Sequence, residues 1–228
     1  MNTPVNRIRI KFCGMTRLSD VLLAEELGVD AIGLIFAPSS KRLISPEQGR
    51  ILSSALGVGV ARVGVFVDMP LDTLLRTAER SKLTAIQLHG GESQNYTLEV
   101  ANFYPVLKAK KLSSLEGLVW EDGPFTTLLD GVNPGSGHAL DWNALEQHLE
   151  QSPLERSPLK AGWGLAGGLN PENVSEALER FVKLGLGWVD VVSGLEARAG
   201  DKDPEKMRHF MARASQKNAI NAPYMSLI

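Results

Sequence analysis

The sequence predicts an α/β protein folded as a single closed (β/α)8 TIM barrel. Eight short apolar runs alternate with helical patterns along nearly the whole chain, no long linker divides it, and several helix starts carry a capping residue followed by proline. Alternating strand and helix implies a parallel sheet. Eight such units in 228 residues favour a closed barrel over an open doubly wound sheet, and barrels of this length often form one unit.

Strands are expected at 9–13, 31–36, 62–67, 84–88, 106–108, 126–130, 159–163 and 188–192. Each is short and mostly apolar, as strands covered on both faces are. Helices are expected at 18–27, 46–56, 71–81, 94–103, 142–149 and 171–184, where apolar residues recur three or four apart, and a last helix at 204–214 closes the series. The connection around 113–118 is too short for a full helix, so the helix after the fifth strand is expected to be shortened or missing. Ser45-Pro46, Asn170-Pro171 and Asp203-Pro204 each set a capping side chain before a proline at the first helical position. Gly28 and Gly185 stand where helices end before a strand. The segment 151–158, with Ser-Pro twice, reads as a loop at the bottom of the barrel. The barrel is expected to occupy 1–217, and 218–228, which contains Pro223 and no helical period, to form a poorly ordered tail.

Composition narrows the function. Twenty-four basic residues against 26 acidic ones leave a net charge of −2, so no general attraction to nucleic acid or an anionic membrane is expected. No apolar run approaches a membrane span, and the N-terminus lacks the apolar core of a secretory signal. One cysteine and no export signal fit a reducing, cytoplasmic setting. The four histidines, at 89, 138, 148 and 209, show no metal-ligand spacing with the cysteine, and no zinc site is expected.

Function in a parallel barrel collects on the loops after the strands. The first strand ends in Cys13, the second leads to Arg42, the fourth ends in Gln87-Leu88-His89-Gly90 and the sixth in Asp130. The seventh is followed by Gly167-Gly168 and the eighth by Ser193-Gly194. A lone cysteine cannot form an internal disulfide; it is either a small buried apolar residue or a chemical group. With Asp130 across the barrel mouth it makes an acid and a base on opposite sides of a bound sugar phosphate, as an aldose–ketose isomerisation requires. Lys11, two residues before Cys13, shares its face of the strand. It either favours the thiolate or forms a buried pair with Asp190. Arg42 suits a substrate carboxylate. The glycines at 167, 168 and 194, with Ser193, either let backbone N–H groups approach a phosphate or only make tight turns. Residues 162–167 match G-x-G-x-x-G, but the expected helix begins only after Asn170-Pro171, so no dinucleotide is expected there.

Taken together, several motifs resemble those of the phosphoribosylanthranilate isomerase family. They are Lys11-Phe12-Cys13-Gly14-Met15-Thr16, Gly33-Leu34-Ile35-Phe36 with Ser40-Lys41-Arg42, Val63-Gly64-Val65-Phe66-Val67 and Gln87-Leu88-His89-Gly90-Gly91-Glu92. Leu128-Leu129-Asp130, Asp141-Trp142, Leu165-Ala166-Gly167-Gly168-Leu169 and Ser193-Gly194-Leu195-Glu196 with Lys202-Asp203 complete the set, which spans 8–210. The resemblance implies a cofactor-free and metal-free barrel in tryptophan biosynthesis, acting on a small phosphorylated substrate by an Amadori rearrangement; the chain itself is expected to be a monomer or homodimer. It also implies Cys13 as general base, Asp130 as general acid, Arg42 on the anthranilate carboxylate, and Gly167, Gly168, Ser193 and Gly194 on the phosphate. Three positions depart from the family pattern. Pro134 replaces a loop glycine and removes a backbone donor, while Leu140 and Leu43 replace aromatic residues. A barrel acting on the equivalent histidine-pathway intermediate would typically use two carboxylates, and a non-catalytic phosphate binder would not need Cys13, Asp130 and Arg42 together.

Overall fold

The structure, a computed structural model, describes residues 7–112, 123–131, 141–151 and 162–221, with side chains described as far as residue 215. Eight parallel strands close into a barrel in chain order. They are β1 (Arg9–Phe12), β2 (Ala31–Ile35), β3 (Ala61–Phe66), β4 (Ala85–Leu88), β5 (Val106–Leu112), β6 (Phe125–Gly131), β7 (Trp163–Ala166) and β8 (Leu186–Val191). Closure is made by β1, which pairs with β2 on one side and β8 on the other and sets Lys11 opposite both Ala31 and Asp190. Closure leaves the barrel itself no free strand edge to template pairing with another chain. Around the barrel lie α1 (Leu18–Glu26), α2 (Pro46–Ser54), α3 (Leu71–Arg80), α4 (Gln94–Ala101), α5 (Trp142–Gln151), α6 (Val174–Phe181) and α7 (Pro204–Asn221).

The period of two along each strand sorts side chains into two cores. Ile10, Phe12, Ile32, Leu34, Ile86, Leu88, Leu129, Leu165 and Val189 point outward and pack with buried residues of the helices. Inward positions low in the barrel are small or aliphatic: Ala31, Val63, Ala85 and Leu107, joined by Ala61 and Trp188. An eight-stranded barrel is just wide enough for its interior to be filled by such side chains. The same parity carries the inward face of β1 from Lys11 to Cys13, and that of β4 from Ala85 through Gln87 to His89.

Helix punctuation is largely as expected. Ser45 forms a full capping box on α2: its Oγ accepts from Gln48 N (3.2 Å) and its N–H donates to Gln48 Oε1 (3.0 Å). Asp203 Oδ1 accepts from Glu205 N (2.9 Å) and Lys206 N (3.3 Å) at the start of α7. Gly28 (φ 79°) and Gly185 (φ 86°) adopt the left-handed conformation after α1 and after the short helical turn Val182–Leu184.

Some boundaries differ from the expectation. β7 begins at Trp163, where it was expected to end. Gly162 has φ 75°, and a Cβ there would stand 3.1 Å from Gly187 Cα, so the chain turns at Gly162 and the strand follows it. Trp163 is fully buried, stacks edge-on against Phe181 (5.8 Å between centroids) and donates Nε1–H to Leu184 O at 2.9 Å. Because 163–166 is strand, the G-x-G-x-x-G segment lacks the turn-and-helix geometry of a dinucleotide fingerprint. α6 starts at Val174 rather than 171, since Asn170 Oδ1 first accepts from Glu172 N (2.9 Å) and Asn173 N (3.0 Å) in a turn. β5 extends past 108 because it pairs with β6 as far as Leu112. Gln151 ends α5 rather than opening a loop, and α7 runs to Asn221, past the expected helix end at 214. The short connection at 113–118, the loop 152–158 and the tail 222–228 lie outside the described residues. An antiparallel pair the sequence did not announce, β9 (Glu196–Arg198) and β10 (Asp201–Lys202), follows β8. Among the described residues no helix is long and apolar enough to cross a membrane.

Replacing Trp163 with alanine should destabilise the fold by about 3–5 kcal/mol, through lost burial and the cavity left behind. Equilibrium urea unfolding measures this directly, and a loss below about 1 kcal/mol would mean that Trp163 does not anchor β7.

Candidate active site

Cys13 directly follows β1, and its N–H donates to Val191 O at 2.9 Å. Its thiol is almost fully buried (2 % exposed). Glycine neighbours make the room. A Cβ on Gly33 of β2 would lie 2.4 Å from Cys13 Sγ, and one on Gly14 (φ 75°) would lie 2.7 Å from Arg42 Cδ. The sequence therefore spends two glycines on seating a thiol and a guanidinium side by side.

Lys11 takes part in both of the alternatives left open by the sequence. Its ammonium, 1 % exposed, donates to Asp190 Oδ2 (2.9 Å) and Gln87 Oε1 (2.8 Å). Burial disfavours its charge, but Asp190 and the neighbouring Cys13 outweigh that, and its pKa is raised. Cys13 is also raised: burial pushes the thiol up, Lys11 pulls it back only in part, and Asp190 pushes it up further. Lys11 thus pairs with Asp190 and also draws the thiol down, while burial keeps the Cys13 pKa raised.

Asp130, near the end of β6, meets His89 across the mouth, with Oδ2 3.0 Å from Nε2. The other ring nitrogen, Nδ1, lies 2.8 Å from Gln87 Nε2. In the sequence Gln87 and His89 are legible as rim residues without an assigned role. Their spacing of two on a strand that ends at the rim was the available signal.

Arg42, on the loop after β2, is tethered. Its Nε and Nη2 donate to the two carboxylate oxygens of Glu196 at 2.7 and 2.6 Å. Glu196 Oε1 also accepts from Lys202 Nζ (3.2 Å) and Gly200 N (3.1 Å). Burial works against the Glu196 charge, yet Arg42 and Lys202 hold its carboxyl below the usual range. Burial lowers Lys202 despite Glu196. The β9–β10 turn is what returns Lys202 to Glu196, and residue spacing does not show it. Bidentate pairing takes one edge of the guanidinium fork and leaves the other for a second acceptor.

The tight-turn reading of the glycine-rich loops is met by their packing. Gly167 (φ 84°) and Gly168 (φ 76°) are left-handed, and a Cβ on Gly167 would lie 2.4 Å from Gly131 N. One on Gly194 would lie 2.0 Å from Leu169 O. Close backbone packing therefore requires glycine at 167 and 194 whether or not an anion binds. Gly167, Gly168 and Ser193 line a cavity of ≈ 480 Å³ together with Cys13, His89, Asp130 and Arg42. Gly194 is set back from that lining. Leu43 is 48 % exposed, while Pro134 and Leu140 lie outside the described residues.

The family model described as N-(5'-phosphoribosyl)anthranilate (PRA) isomerase matches residues 10–213. The chain is 41% identical over 211 residues to the N-(5'-phosphoribosyl)anthranilate isomerase of Deinococcus radiodurans, covering 90% of this chain and 95% of that protein. It is also similar to a crystal structure of phosphoribosyl anthranilate isomerase in complex with reduced 1-(o-carboxyphenylamino)-1-deoxyribulose 5-phosphate. There the TM-score is 0.77 and the identity 34%, with 92% of this chain and 99% of that one covered. A structure of monomers generated from the dimeric enzyme of Thermotoga maritima gives a TM-score of 0.76, at 34% identity and the same coverage.

Cys13 is the only cysteine of the chain, so a thiol reagent reports on it alone. The thiolate is the reactive form. With the pKa raised, iodoacetamide labelling should keep accelerating above about pH 8.5, the ordinary cysteine value. A rate that levels off below that pH would contradict a thiol held protonated by its surroundings.

Proposed function

The chain belongs to the N-(5'-phosphoribosyl)anthranilate isomerase family, and on that premise we propose that Cys13 is the general base and Asp130 the general acid of its reaction. The protein is an isomerase of tryptophan biosynthesis that converts N-(5-phosphoribosyl)anthranilate to 1-(2-carboxyphenylamino)-1-deoxyribulose 5-phosphate. The observation that carries the assignment of roles is the lining of one cavity by Cys13, Asp130, Arg42 and the two glycine-rich loops. An acid, a base and two sets of anion donors meet there, as a substrate with a carboxylate, a sugar ring and a phosphate requires.

In this reading Asp130 gives a proton to the furanose ring oxygen while the anthranilate nitrogen forms a double bond to C1′, and the ring opens to a Schiff base. Cys13, as thiolate, then removes the proton from C2′. The electron pair moves into C1′–C2′ and returns charge to the nitrogen, giving an enolamine. Ketonisation moves the C2′ hydroxyl proton out and a proton onto C1′, so the product is an isomer of the substrate. Arg42, held on one edge by Glu196, presents its other edge to the anthranilate carboxylate. Gly167, Gly168 and Ser193 take the phosphate through backbone N–H groups, with Gly194 supporting the turn. We place the enzyme in the cytosol as a monomer or homodimer, with a small phosphorylated molecule rather than nucleic acid or membrane as its partner.

The test generates the unstable substrate in place from anthranilate and phosphoribosyl pyrophosphate with the preceding transferase, and follows loss of its fluorescence. Wild type should turn over, and Cys13→Ala and Asp130→Asn should lose about a hundredfold or more in kcat. Retention of kcat by either variant would remove that residue from its role. Arg42→Ala should mainly raise KM; an unchanged KM would sink the carboxylate clamp. The profile of kcat/KM should climb on the alkaline side together with thiol labelling, because the base acts only when deprotonated and its pKa is raised.

A further inference from the structure

Between the cysteine side and the aspartate side of the cavity runs an unbroken chain of hydrogen bonds. Lys11 Nζ is 2.8 Å from Gln87 Oε1, Gln87 Nε2 is 2.8 Å from His89 Nδ1, and His89 Nε2 is 3.0 Å from Asp130 Oδ2. Donor inventory fixes every direction in it. An ammonium has only donors, so it must face the amide oxygen of Gln87. The amide NH2 group is then turned to His89, and it too only donates. Nδ1 must therefore accept, because an Nδ1–H would stand donor against donor. The ring is neutral, with its hydrogen on Nε2, and that N–H donates to Asp130 Oδ2. Gln87 is 1 % exposed, so water does not compete for its amide and the orientation is enforced.

We propose that Lys11 acts through Gln87 to lock His89 in the neutral Nε2–H tautomer, and that His89 so locked is a positioning residue for Asp130. With Oδ2 occupied by an N–H, the carboxyl proton resides on Oδ1, the oxygen free to face the sugar ring. The opposite tautomer would present a bare Nε2 to Asp130 and draw the acidic proton to Oδ2, away from the substrate. The chain orients and does not conduct, because a primary amide would have to pass through its imidic acid form to hand a proton onward. This inference rests on Asp130 as the general acid and adds how that acid is aimed.

Histidine labelled with ¹⁵N, observed by long-range ¹H–¹⁵N correlation in the intact protein, reads the tautomer directly. His89 should show a protonated Nε2 and an unprotonated Nδ1; a proton on Nδ1 would overturn the lock. Kinetics in the coupled assay read the consequence. His89→Leu should lower kcat at least about tenfold with little change in KM, and His89→Gln, whose amide can again donate toward Asp130, should recover much of that loss. Equal kcat in both variants, or a loss confined to KM, would overturn the positioning role. Asp130→Asn separates the two readings. If it still turns over, the acid assignment fails whatever tautomer His89 shows; if it collapses while His89→Leu does not, only the positioning role fails.

Discussion

An unpaired ammonium in a barrel interior is unstable, and Lys11 imposes that constraint on everything around it. Removing one partner from a buried ion pair typically costs about 3–5 kcal/mol, so the Lys11 side chain, 1 % exposed, needs Asp190 and Gln87 where they are. The β1–β8 register provides the first by setting Lys11 opposite Asp190. The closed barrel provides the second by bringing β4 across the interior. Closure of the sheet and satisfaction of the charge are consequently one event, because the pairing that leaves no free edge also delivers the carboxylate.

From that point the site is built outward. The ammonium pairs with Asp190 and Gln87 and only partly offsets the effect of burial on Cys13. The orientation of Gln87 sets His89, and His89 contacts Asp130. Elsewhere on the same rim Glu196 collects Arg42, Lys202 and Gly200 N–H around one carboxylate. A third carboxylate, Glu92, accepts from Asp68 N (3.0 Å), Gly90 N (2.9 Å) and Lys108 Nζ (2.8 Å). It thereby ties together the regions that follow β3 and β4 and the side chain of β5. Loops that carry function are generally the mobile part of a barrel, and here buried or half-buried acids hold several of them to the strands.

Glycine supplies the space this arrangement needs. Gly33 clears a volume for Sγ, Gly14 for the Arg42 stem and Gly167 for the backbone of Gly131. A methyl group at any of them would displace a reacting or supporting group by close contact. The glycines near the mouth thus serve packing and chemistry together, and a phosphate site at Gly167 and Gly168 does not require that the glycines exist for the phosphate alone.

The sequence by itself determined the barrel, its strand order and most element positions, because short apolar runs and capped helices are local signals. The motifs around Cys13, Arg42, Asp130 and the two glycine-rich loops were legible for the same reason: each sits at a strand end, and strand ends share one rim. Gln87 and His89 were visible as rim residues but not as partners of Lys11 and Asp130, whose contacts cross 76 and 41 positions of chain. The start of β7 at Trp163, the β9–β10 turn and the Glu196 clamp on Arg42 were likewise decided by tertiary structure. In each case a side chain or turn is fixed by a partner remote in sequence. Periodicity reports which face a residue occupies, whereas only closure of the barrel decides what that face meets.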